Sequence, residues 1–242
     1  MVGRKALIFT DLQKLQQFIA KKGAKGQRRN TQTAGGGEAA EEMDDVVAYL
    51  RRHTVDIAIL QKTHLAQGRG DSVQQRMQGQ VCAAGFTTHA TGVLIWARKG
   101  AAIRLQEVCI DPAGYYVVAK YIIGNCVLLV VDIYSPNYDD PNFYYILNTT
   151  LQQSGDIPQL WGGNLNCVLN PDKDRSTGPP RRPSLVARAL SEIVAREGVV
   201  AVWSHQYSTI PGYNHYSAVH DIQTRIDYWL CLRQLSPPDT GP

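Results

Sequence analysis

The sequence has few cysteines, and they are not arranged for metal binding or cross-linking. The five are scattered, with no Cys-x-x-Cys pair and no histidine at metal-ligand spacing. This pattern argues against a zinc site and against a disulfide framework. An odd number of thiols, most of them in strand-like segments, suits a reducing compartment. They are Cys82, Cys109, Cys126, Cys167 and Cys231.

Long apolar runs are also missing. The chain has no run of about 18 apolar residues, the length at which a membrane-spanning helix is predicted. Its first residues lack the apolar core of a signal peptide. We therefore expect a nuclear or cytoplasmic protein that is neither secreted nor inserted into a membrane.

Charge of one sign is in only slight excess. The formal net charge is +4 and the isoelectric point is near 8.8, which permits a polyanionic partner but does not by itself indicate one. The 242 residues, 44% of them hydrophobic, are enough for one sizeable core. We expect a single main domain.

Hydrophobic periodicity predicts a mixture of helices and strands. Apolar residues recur at helical spacing in 38–53, 141–153 and 185–198, and also after Asp11, where Leu12, Leu15, Phe18 and Ile19 form one stripe. Runs rich in Val, Ile and Tyr, separated by turn residues, predict an antiparallel meander between 92 and 134. The predicted strands are 6–10, 56–60, 92–97, 103–110, 115–123, 126–134, 159–161, 199–203, 207–209, 216–219 and 226–232, and the predicted polar loops are 67–80 and 172–182.

A basic, glycine-containing segment at 21–37 interrupts this pattern. It is too polar to bury a core of its own, so we expect it to be disordered in isolation. Its cations could contact DNA phosphates in a salt-sensitive manner, although such a charge run is more often only solvated. These cations are Lys21, Lys22, Lys25, Arg28 and Arg29.

The segment 160–170 has the pattern of a functional site. An apolar strand runs into Gly162-Gly163-Asn164-Leu165-Asn166, which predicts a tight turn where the backbone can approach a ligand. Asn164 and Asn166 are two residues apart and would point the same way in an extended chain. The alternative is that both amides merely satisfy the backbone of the turn.

Four ordered segments resemble the endonuclease/exonuclease/phosphatase superfamily, in particular the apurinic-type endonuclease domain of LINE retrotransposons. The stretch just described resembles that family's Gly-Asp-x-Asn core. The others resemble its Asp-Ile-x-x-Leu-Gln-Glu-Thr-His-Leu, Asn-x-Tyr-Ala-Pro-Asn and Arg-Ile-Asp-Tyr motifs. They lie at 56–65, 132–137 and 225–228, so the resemblance covers roughly 44–235.

The resemblance implies a four-layer α/β sandwich of the DNase I type, with two mixed sheets flanked by the helices of 41–52, 141–152 and 184–197. It also implies a division into 1–37 (a divergent strand, helix and basic loop), a domain at 38–235 that lacks its last strand, and a tail at 236–242. An absent last strand would leave an open sheet edge, so we expect self-association there.

The resemblance further assigns roles to individual residues. Tyr134 matches the family's active-site tyrosine, and Asn137 matches the substrate-binding asparagine after it. Asn166 matches the second amide of the core motif, and Asp227 matches the carboxylate that orients the catalytic histidine. Together with Lys62 and Asn164, these residues are expected to converge on one cleft.

Three family features are replaced or missing, which predicts impaired catalysis. Lys62 stands in the position of the glutamate that binds magnesium, so metal binding is expected to be weak or absent. Asn164 stands in the position of the aspartate that activates water, and an amide cannot accept a proton. The closing Ser-Asp-His is not found before Pro242. The histidines considered as substitutes for its histidine are His64, His205, His215 and His220, although none of them matches a catalytic position.

Three functions remain open at this point. The first is a degenerate, truncated LINE endonuclease domain whose ancestor nicked DNA with magnesium, and which retains weak, phosphate-directed binding to DNA. The second is an active metal-dependent endonuclease with rearranged ligands. The third is a non-catalytic DNA-binding or interaction module on the same fold. Only the second requires a bound divalent metal.

Overall fold

The computed structural model describes residues 6–9, 38–63, 70–85, 91–176, 182–207 and 209–233. The helix expected after Asp11, the basic segment expected at 21–37, His64 and the tail at 236–242 therefore lie outside the described residues.

The first sheet has four strands, with two helices on its outer face. Strand β1 is parallel to β2, and the remaining pairs are antiparallel, in the order β1-β2-β4-β3. Helices α1 and α2 bury Val46, Leu50 and Met77 against Leu94 and Trp96 of the sheet. The elements are β1 (Ala6–Phe9), α1 (Glu38–Arg52), β2 (Ile57–Gln61), α2 (Gly70–Met77), β3 (Gly79–Ala84) and β4 (Val93–Arg98).

The second sheet has six strands in the order β5-β6-β7-β8-β12-β9. Only the β7–β8 pair is parallel. Helices α3 and α5 cover its outer face, where Leu147 and Leu190 pack with Val131 and Trp161. The larger elements are β5 (Ile103–Ile110), β6 (Tyr116–Ile123), β7 (Cys126–Tyr134), α3 (Asn142–Gln152), β8 (Gln159–Asn164), α5 (Leu185–Arg196), β9 (Val199–Ala201) and β12 (Asp227–Leu232). The short ones are α4 (Pro171–Asp174), α6 (Val202–Gln206) and the hairpin of β10 (His215–Ser217) and β11 (Ile222–Thr224).

The inner faces of the two sheets pack against each other. Ile59 and Ile95 of the first sheet share one buried cluster with Val117, Tyr121 and Val130 of the second. The layers are therefore helix, sheet, sheet and helix, which confirms the fold class expected from the sequence. A sheet needs apolar residues on both faces when it is covered on both, which accounts for the nearly continuous apolar run of β4.

The sequence prediction was wrong about two stretches of the first half. The segment 67–80 was expected to be a polar loop, but Gly70–Met77 is a helix that buries Val73 and Met77, and it leads into β3. The run 92–97 was expected to belong to the meander. As β4 it pairs instead with β2 and β3, whereas the meander of the second sheet contains only β5, β6 and β7.

The last third also differs from the prediction. Strand β9 ends at Ala201, and 202–206 is helical, so the strand expected at 199–203 is two residues shorter than predicted. Tyr207 does not belong to a strand, and Ile222–Thr224 forms a strand that was not predicted. The segment expected to be a loop at 172–182 begins with the short helix α4, because Asn170 caps it by accepting a hydrogen bond from the backbone N–H of Asp172. Among the described helices, none has the length and apolar content needed to cross a membrane.

Candidate functional site

Three adjacent strands place three of the proposed site residues in one row. In the pairing register, Tyr134 at the end of β7 lies opposite Asn164 at the end of β8, and Asn164 lies opposite Asp227 at the start of β12. Neighbouring strands are about 4.8 Å apart. The row therefore crosses one end of the second sheet, and we name it the Tyr134–Asp227 row.

Two glycines hold this end of the sheet together. A side chain at Gly162 would collide with Ile59 and Trp229, and one at Gly163 would collide with the Ile133 backbone. Gly163 also has φ +130°, which a residue with a side chain rarely adopts. Glycine is therefore required by the close packing of the strands. The prediction of a tight turn at these glycines is wrong, since β8 continues through both of them to Asn164.

Asn164 and Asn166 stabilise the bend that follows β8. The Oδ1 atom of Asn164 accepts a hydrogen bond of 2.9 Å from the Asn166 N–H, and Asn166 has a left-handed backbone with φ +48°. The Nδ2 atom of Asn166 donates to the Ser135 carbonyl, which ties the bend to the end of β7. Both amides therefore hydrogen-bond to backbone groups of the bend, which is the alternative role considered for them from the sequence.

Lys62 places a cation next to the row. It follows β2 in the first sheet, is half-buried, and has a left-handed backbone with φ +51°. Its Nζ atom lies 5.7 Å from the centroid of the Tyr134 ring, which is the range of a cation–π interaction. The first sheet thus contributes a positive charge where the resemblance implies a negative one.

A pair of buried polar side chains joins the two sheets behind Lys62 and Tyr134. Gln61 and Asp132 are both 0% exposed, and the Gln61 amide donates to Oδ1 of Asp132. The other oxygen, Oδ2, accepts a hydrogen bond of 3.0 Å from the Leu94 N–H. Burial raises the pKa of Asp132 well above its ordinary value, and the hydrogen bonds from Gln61 and the backbone oppose this only in part. Burial therefore favours the neutral form of this carboxyl group more than solvent would.

Asn214 fixes the backbone that carries Asp227. Its Oδ1 atom accepts hydrogen bonds from the N–H groups of Ile226, at 3.0 Å, and Asp227, at 3.2 Å. Its Nδ2 atom donates to the Asp227 carbonyl at 2.8 Å. The sequence gives no periodic or motif signal for this contact, because 13 residues separate the two positions.

A buried ion pair lies close to the start of β12. Arg225 and Asp174 are 3% and 1% exposed, and their charged atoms are 3.4 Å apart. Arg225 also donates to Ser204 Oγ at 2.8 Å and to the Gly212 carbonyl at 2.9 Å, and the Tyr228 hydroxyl donates to Asp174 at 3.0 Å. Burial, with a contribution from Asp174, raises the pKa of Tyr228. Arg225 and Tyr228 were quoted from the sequence only as parts of a motif, and their structural role was not predicted.

Asp227 lines one cavity and Asn166 lines another. The Trp203 cavity, about 360 Å³, is lined by Trp203, Asn214, Asp227 and Trp229 among others. The Arg175 cavity, about 300 Å³, is lined by Asn166, Arg175, Arg182, His215, His220 and neighbouring apolar residues. Both volumes are at the lower end of those seen for small-molecule sites.

The structure brings most of the predicted site residues to one end of the sandwich. Tyr134, Asn164 and Asp227 form the row, Lys62 contacts the Tyr134 ring, and Asn166 is tied to the residue after Tyr134. Asn137 lies three residues beyond β7 and is exposed. The functional roles of these residues stay predictions. Of the substitute histidines, His215 and His220 line the Arg175 cavity, and His205 lies in α6.

The residues at this end do not fit the magnesium ion that the resemblance implies. Magnesium prefers carboxylate oxygens, whereas Lys62 brings an ammonium group and the Oδ1 atom of Asn164 already accepts a hydrogen bond. Among the described residues there is no group of three or more His, Cys, Asp or Glu side chains that could hold a metal. We therefore derive no catalytic step through a metal.

Solved structures of AP endonucleases and of a 3′ phosphatase share this fold. The AP endonuclease of Leishmania major is 14% identical, with 96% of this chain and 79% of that chain covered and a TM-score of 0.62. The AP endonuclease of Archaeoglobus fulgidus is 19% identical, with 81% and 84% covered and a TM-score of 0.62. A 3′ phosphatase from Neisseria, solved bound to product DNA hairpin, is 18% identical, with 81% and 83% covered and a TM-score of 0.60.

These similarities establish a DNase I-like fold of the AP endonuclease and exonuclease/phosphatase type. At identities below 20% they establish the fold alone. No family model matches the sequence.

Proposed function

We propose that this chain is a degenerate LINE-type endonuclease domain that binds DNA weakly through its phosphates and hydrolyses it poorly or not at all. The observation that carries the proposal is the position of Lys62, whose ammonium group lies beside the Tyr134 ring at the end of the row. The motif resemblance supports the LINE origin, and the DNase I-like fold supports DNA as the partner.

The charge of Lys62 opposes the ancestral chemistry. Two unit charges about 4 Å apart interact by roughly 4 kcal/mol at an effective dielectric constant near 20, and the repulsion of a divalent cation would be twice that. The same ammonium group attracts a phosphate. The substitution thus favours binding to the DNA backbone and disfavours a metal-assisted reaction on it.

Asn164 removes a second requirement of hydrolysis. An amide can hold a water molecule by hydrogen bonds but cannot take its proton, and loss of such a group typically lowers the rate about 10²–10⁴-fold. Its Oδ1 atom is moreover engaged by the Asn166 N–H. Tyr134, Asn137 and Asn166 are left as polar contacts for phosphate and sugar.

A nicking assay on supercoiled DNA with titrated magnesium tests this function. The three proteins are the chain as given, the Lys62→Glu/Asn164→Asp double variant, and that variant extended by a family-like strand carrying Ser-Asp-His. We expect activity near background for the first two and recovery only in the third, because groups that act as a unit are far from additive.

Robust magnesium-dependent nicking by the unmodified chain would contradict the proposal and support the alternative, an active endonuclease with rearranged ligands. DNA binding that persists in all three proteins, without nicking in any of them, would favour a non-catalytic DNA-binding module. That alternative has one observation in its favour, the basic lining of the Arg175 cavity.

Three further expectations belong to this proposal. We propose that 38–235 is the endonuclease-like domain and that the chain acts in the nucleus or cytoplasm. We also propose self-association through an open sheet edge. Strand β1, which comes from the segment before this domain, pairs with β2 and is an edge strand of the first sheet in the described part of the chain.

A further inference from the structure

Strand β5 is an edge strand of the second sheet, since its strand partner in the described part of the chain is β6. A sheet edge presents a row of backbone N–H and C=O groups that can pair with another strand. Proteins protect such edges with bulges, charges or covering side chains. The two halves of β5 differ in how far they are protected.

The first half of the β5 edge is occupied by a side chain from the other sheet. The Nε2 atom of Gln80 donates to the Ile103 carbonyl at 3.1 Å, and its Oε1 atom accepts from the Leu105 N–H at 2.7 Å. This amide thus takes the place that the backbone of a neighbouring strand would have. A β-bulge between Leu105 and Glu107 ends the protected half.

Beyond the bulge, the backbone groups of Val108 and Ile110 point away from β6. The Asp111 N–H donates to the Tyr116 carbonyl at 3.1 Å, so Asp111 faces β6. Residues of an antiparallel strand alternate between facing their partner and facing away from it. The backbone of Cys109 therefore faces β6 as well, whereas Val108 and Ile110 direct their N–H and C=O groups to the edge.

The side chains of this second half are exposed and mostly apolar. Val108 is 44% and Ile110 43% exposed, and Cys109 is an exposed free thiol. In the register with β6, Val108 and Ile110 lie opposite Ala119 and Val117, which belong to the buried cluster between the sheets. An edge with exposed apolar side chains and outward backbone groups favours pairing with another strand.

The spacing of the two outward residues matches an antiparallel copy of the same strand. If a two-fold axis passes beside Cys109, Val108 of each copy lies opposite Ile110 of the other. Each of these pairs can exchange two N–H···O bonds, which gives four main-chain bonds and two apolar cross-strand pairs. The edge is therefore complementary to itself, as a two-fold dimer requires.

The acidic residues that flank this segment already have partners. The same axis places Glu107 of one copy opposite Asp111 of the other. Glu107 pairs with Lys120 at 3.2 Å, and the Asp111 carboxylate accepts the N–H groups of Ala113 and Tyr115. The remaining repulsion between like charges lowers the affinity of the pairing without blocking it.

We propose that the second half of β5 is a homodimer contact, through which two copies join their six-stranded sheets into one antiparallel sheet. The inference deepens the self-association proposed above, on which it rests, and gives that association an edge, a register and a symmetry. It uses no residue of the Tyr134–Asp227 row. A contact of three residues on each side is smaller than the roughly 1,200 Å² of stable complexes, so the dimer dissociates on dilution.

The first test follows amide hydrogen exchange by NMR at low and high protein concentration. We expect the Val108 and Ile110 N–H groups to exchange roughly tenfold more slowly once about nine-tenths of the chains are paired, because exchange then proceeds from the unpaired fraction. The matched controls are the N–H of Leu105, which Gln80 already binds, and that of Cys109, which faces β6. Their exchange should not depend on concentration.

Two variants weaken the contact in different ways. Ile110→Pro deletes an outward N–H without removing a bond to β6, and Val108→Lys places a charge on the edge, as natural edge strands do. We expect each to raise the dimer dissociation constant, measured by sedimentation equilibrium, on the order of tenfold or more, because the two-fold axis makes every lost contact occur twice.

The matched control for these variants is Ile146→Lys, at an exposed isoleucine of α3, for which we expect no change in association. Circular dichroism and thermal unfolding show whether each variant keeps its fold. If the proline variant does not fold, Val108→Lys decides the test.

A thiol cross-link tests the register. In an antiparallel pair that shares no hydrogen bonds, the two Cα atoms are about 4.5 Å apart, which is close enough to join two cysteines. A short bismaleimide, which forms a thioether bond with each thiol, should link two chains through Cys109. Cys109→Ser should abolish the linked dimer, whereas Cys126→Ser, which removes the other exposed thiol, should leave it.

The outcomes separate this inference from the proposed function. A chain that stays monomeric at every concentration contradicts both the inference and the proposed self-association, while the DNA proposal still depends on the nicking assay. A dimer whose Val108 and Ile110 amides stay unprotected, and whose Cys109 does not cross-link, contradicts the inference alone, because association then uses another edge. Equal protection of these amides at all concentrations also contradicts it, because the edge would then be covered within one chain.

Discussion

Two fully buried carboxyl groups lie in different regions of the molecule, and their surroundings accommodate them in opposite ways. Asp132 lies between the sheets, where its partners are the Gln61 amide and backbone N–H groups. Asp174 lies behind β12, where the guanidinium of Arg225 is 3.4 Å away and the Tyr228 hydroxyl donates to it. A carboxyl group can be buried if it is either paired with a cation or neutral.

The comparison shows what each region contributes to the site. The Arg225–Asp174 pair fixes the start of β12, and hence Asp227, by charge. The Gln61–Asp132 pair joins β2 to β7, and hence holds Lys62 near Tyr134, by a hydrogen bond to a carboxyl group whose pKa burial raises. Among variants of the two regions, removal of the Arg225 guanidinium is expected to change the free energy of unfolding most.

Replacing Arg225 by methionine is expected to have the largest effect. Arg225→Met leaves Asp174 buried without its cation, and breaking a buried pair in this way lowers the free energy of unfolding by about 3–5 kcal/mol. Urea unfolding measures the change. The double variant Arg225→Met/Asp174→Leu should recover much of it, and Arg188→Met on the exposed face of α5 is the control. A double variant less stable than the single one would mean that Asp174 needs no cation.

Replacing Asp132 by asparagine is expected to raise the free energy of unfolding, by an amount smaller than the loss in Arg225→Met. The Oε1 atom of Gln61 has no hydrogen-bond partner among the described residues. An amide nitrogen in place of Oδ1 would face the Gln61 donor, so the Gln61 amide must turn over for its Oε1 atom to accept from the asparagine at position 132. The exchange keeps one hydrogen bond between the two side chains and removes the cost of ionising a buried carboxyl group, which is on the scale of about 1–3 kcal/mol, so Asp132→Asn should be more stable than the unmodified protein at neutral pH.

The pH dependence of this gain follows from the direction of the pKa shift. The pKa of Asp132 is higher in the folded protein than the ordinary value of about 3.9 for the unfolded chain. The stability from the neutral group is therefore fully present below about pH 4 and is lost as the pH rises toward the folded value. In urea unfolding between pH 4 and pH 9, the free energy of unfolding of Asp132→Asn should increase relative to that of the unmodified protein as the pH rises. The exposed Asp156→Asn should follow the unmodified protein, and parallel profiles for all three would contradict a neutral Asp132.

The smallest effect is expected at an exposed ion pair. Lys120 and Glu107 are 3.2 Å apart on the surface of the second sheet, and the Glu107 side chain is 66% exposed. Exposed pairs contribute about 0.2–1 kcal/mol and are screened by salt. Glu107→Gln should therefore change the free energy of unfolding by less than about 1 kcal/mol, and the change should vanish in 1 M salt. If Glu107→Gln lowered the free energy of unfolding as much as Arg225→Met does, burial would not explain the difference in strength between the two ion pairs.

Much of the fold could be predicted from the sequence because its strands and large helices are periodic. The runs that became β6 and β7, and the stripes that became α1, α3 and α5, each bury one face, whereas β5 was recognised although only Ile103 of its eight residues is buried. Helix α2 could not be recognised, because only Val73 and Met77 of its eight residues are large and apolar. Strand β11 has three residues and is held by its hairpin partner, which is too short for any period to show.

The candidate site was predictable only as a set of motif positions. Tyr134, Asn164 and Asp227 were chosen from separate motifs, and the pairing register then placed them in a row. The contacts that support the row could not be foreseen. Asp174 and Arg225 are 51 positions apart, and Gln61 and Asp132 are 71 apart. Such pairs depend on the folded topology and leave no local pattern.

The strand order has a consequence for how the chain folds during synthesis. Strand β9 has one partner in the second sheet, β12, and β12 lies between β9 and β8. The ribosome synthesises β9 about 25 residues before β12, so β9 cannot pair in the sheet until β12 has been made. Contacts between distant segments form slowly, and chains emerge at about 5–20 residues per second. Asp227 can therefore join Tyr134 and Asn164 in the row only after the rest of the second sheet has been synthesised.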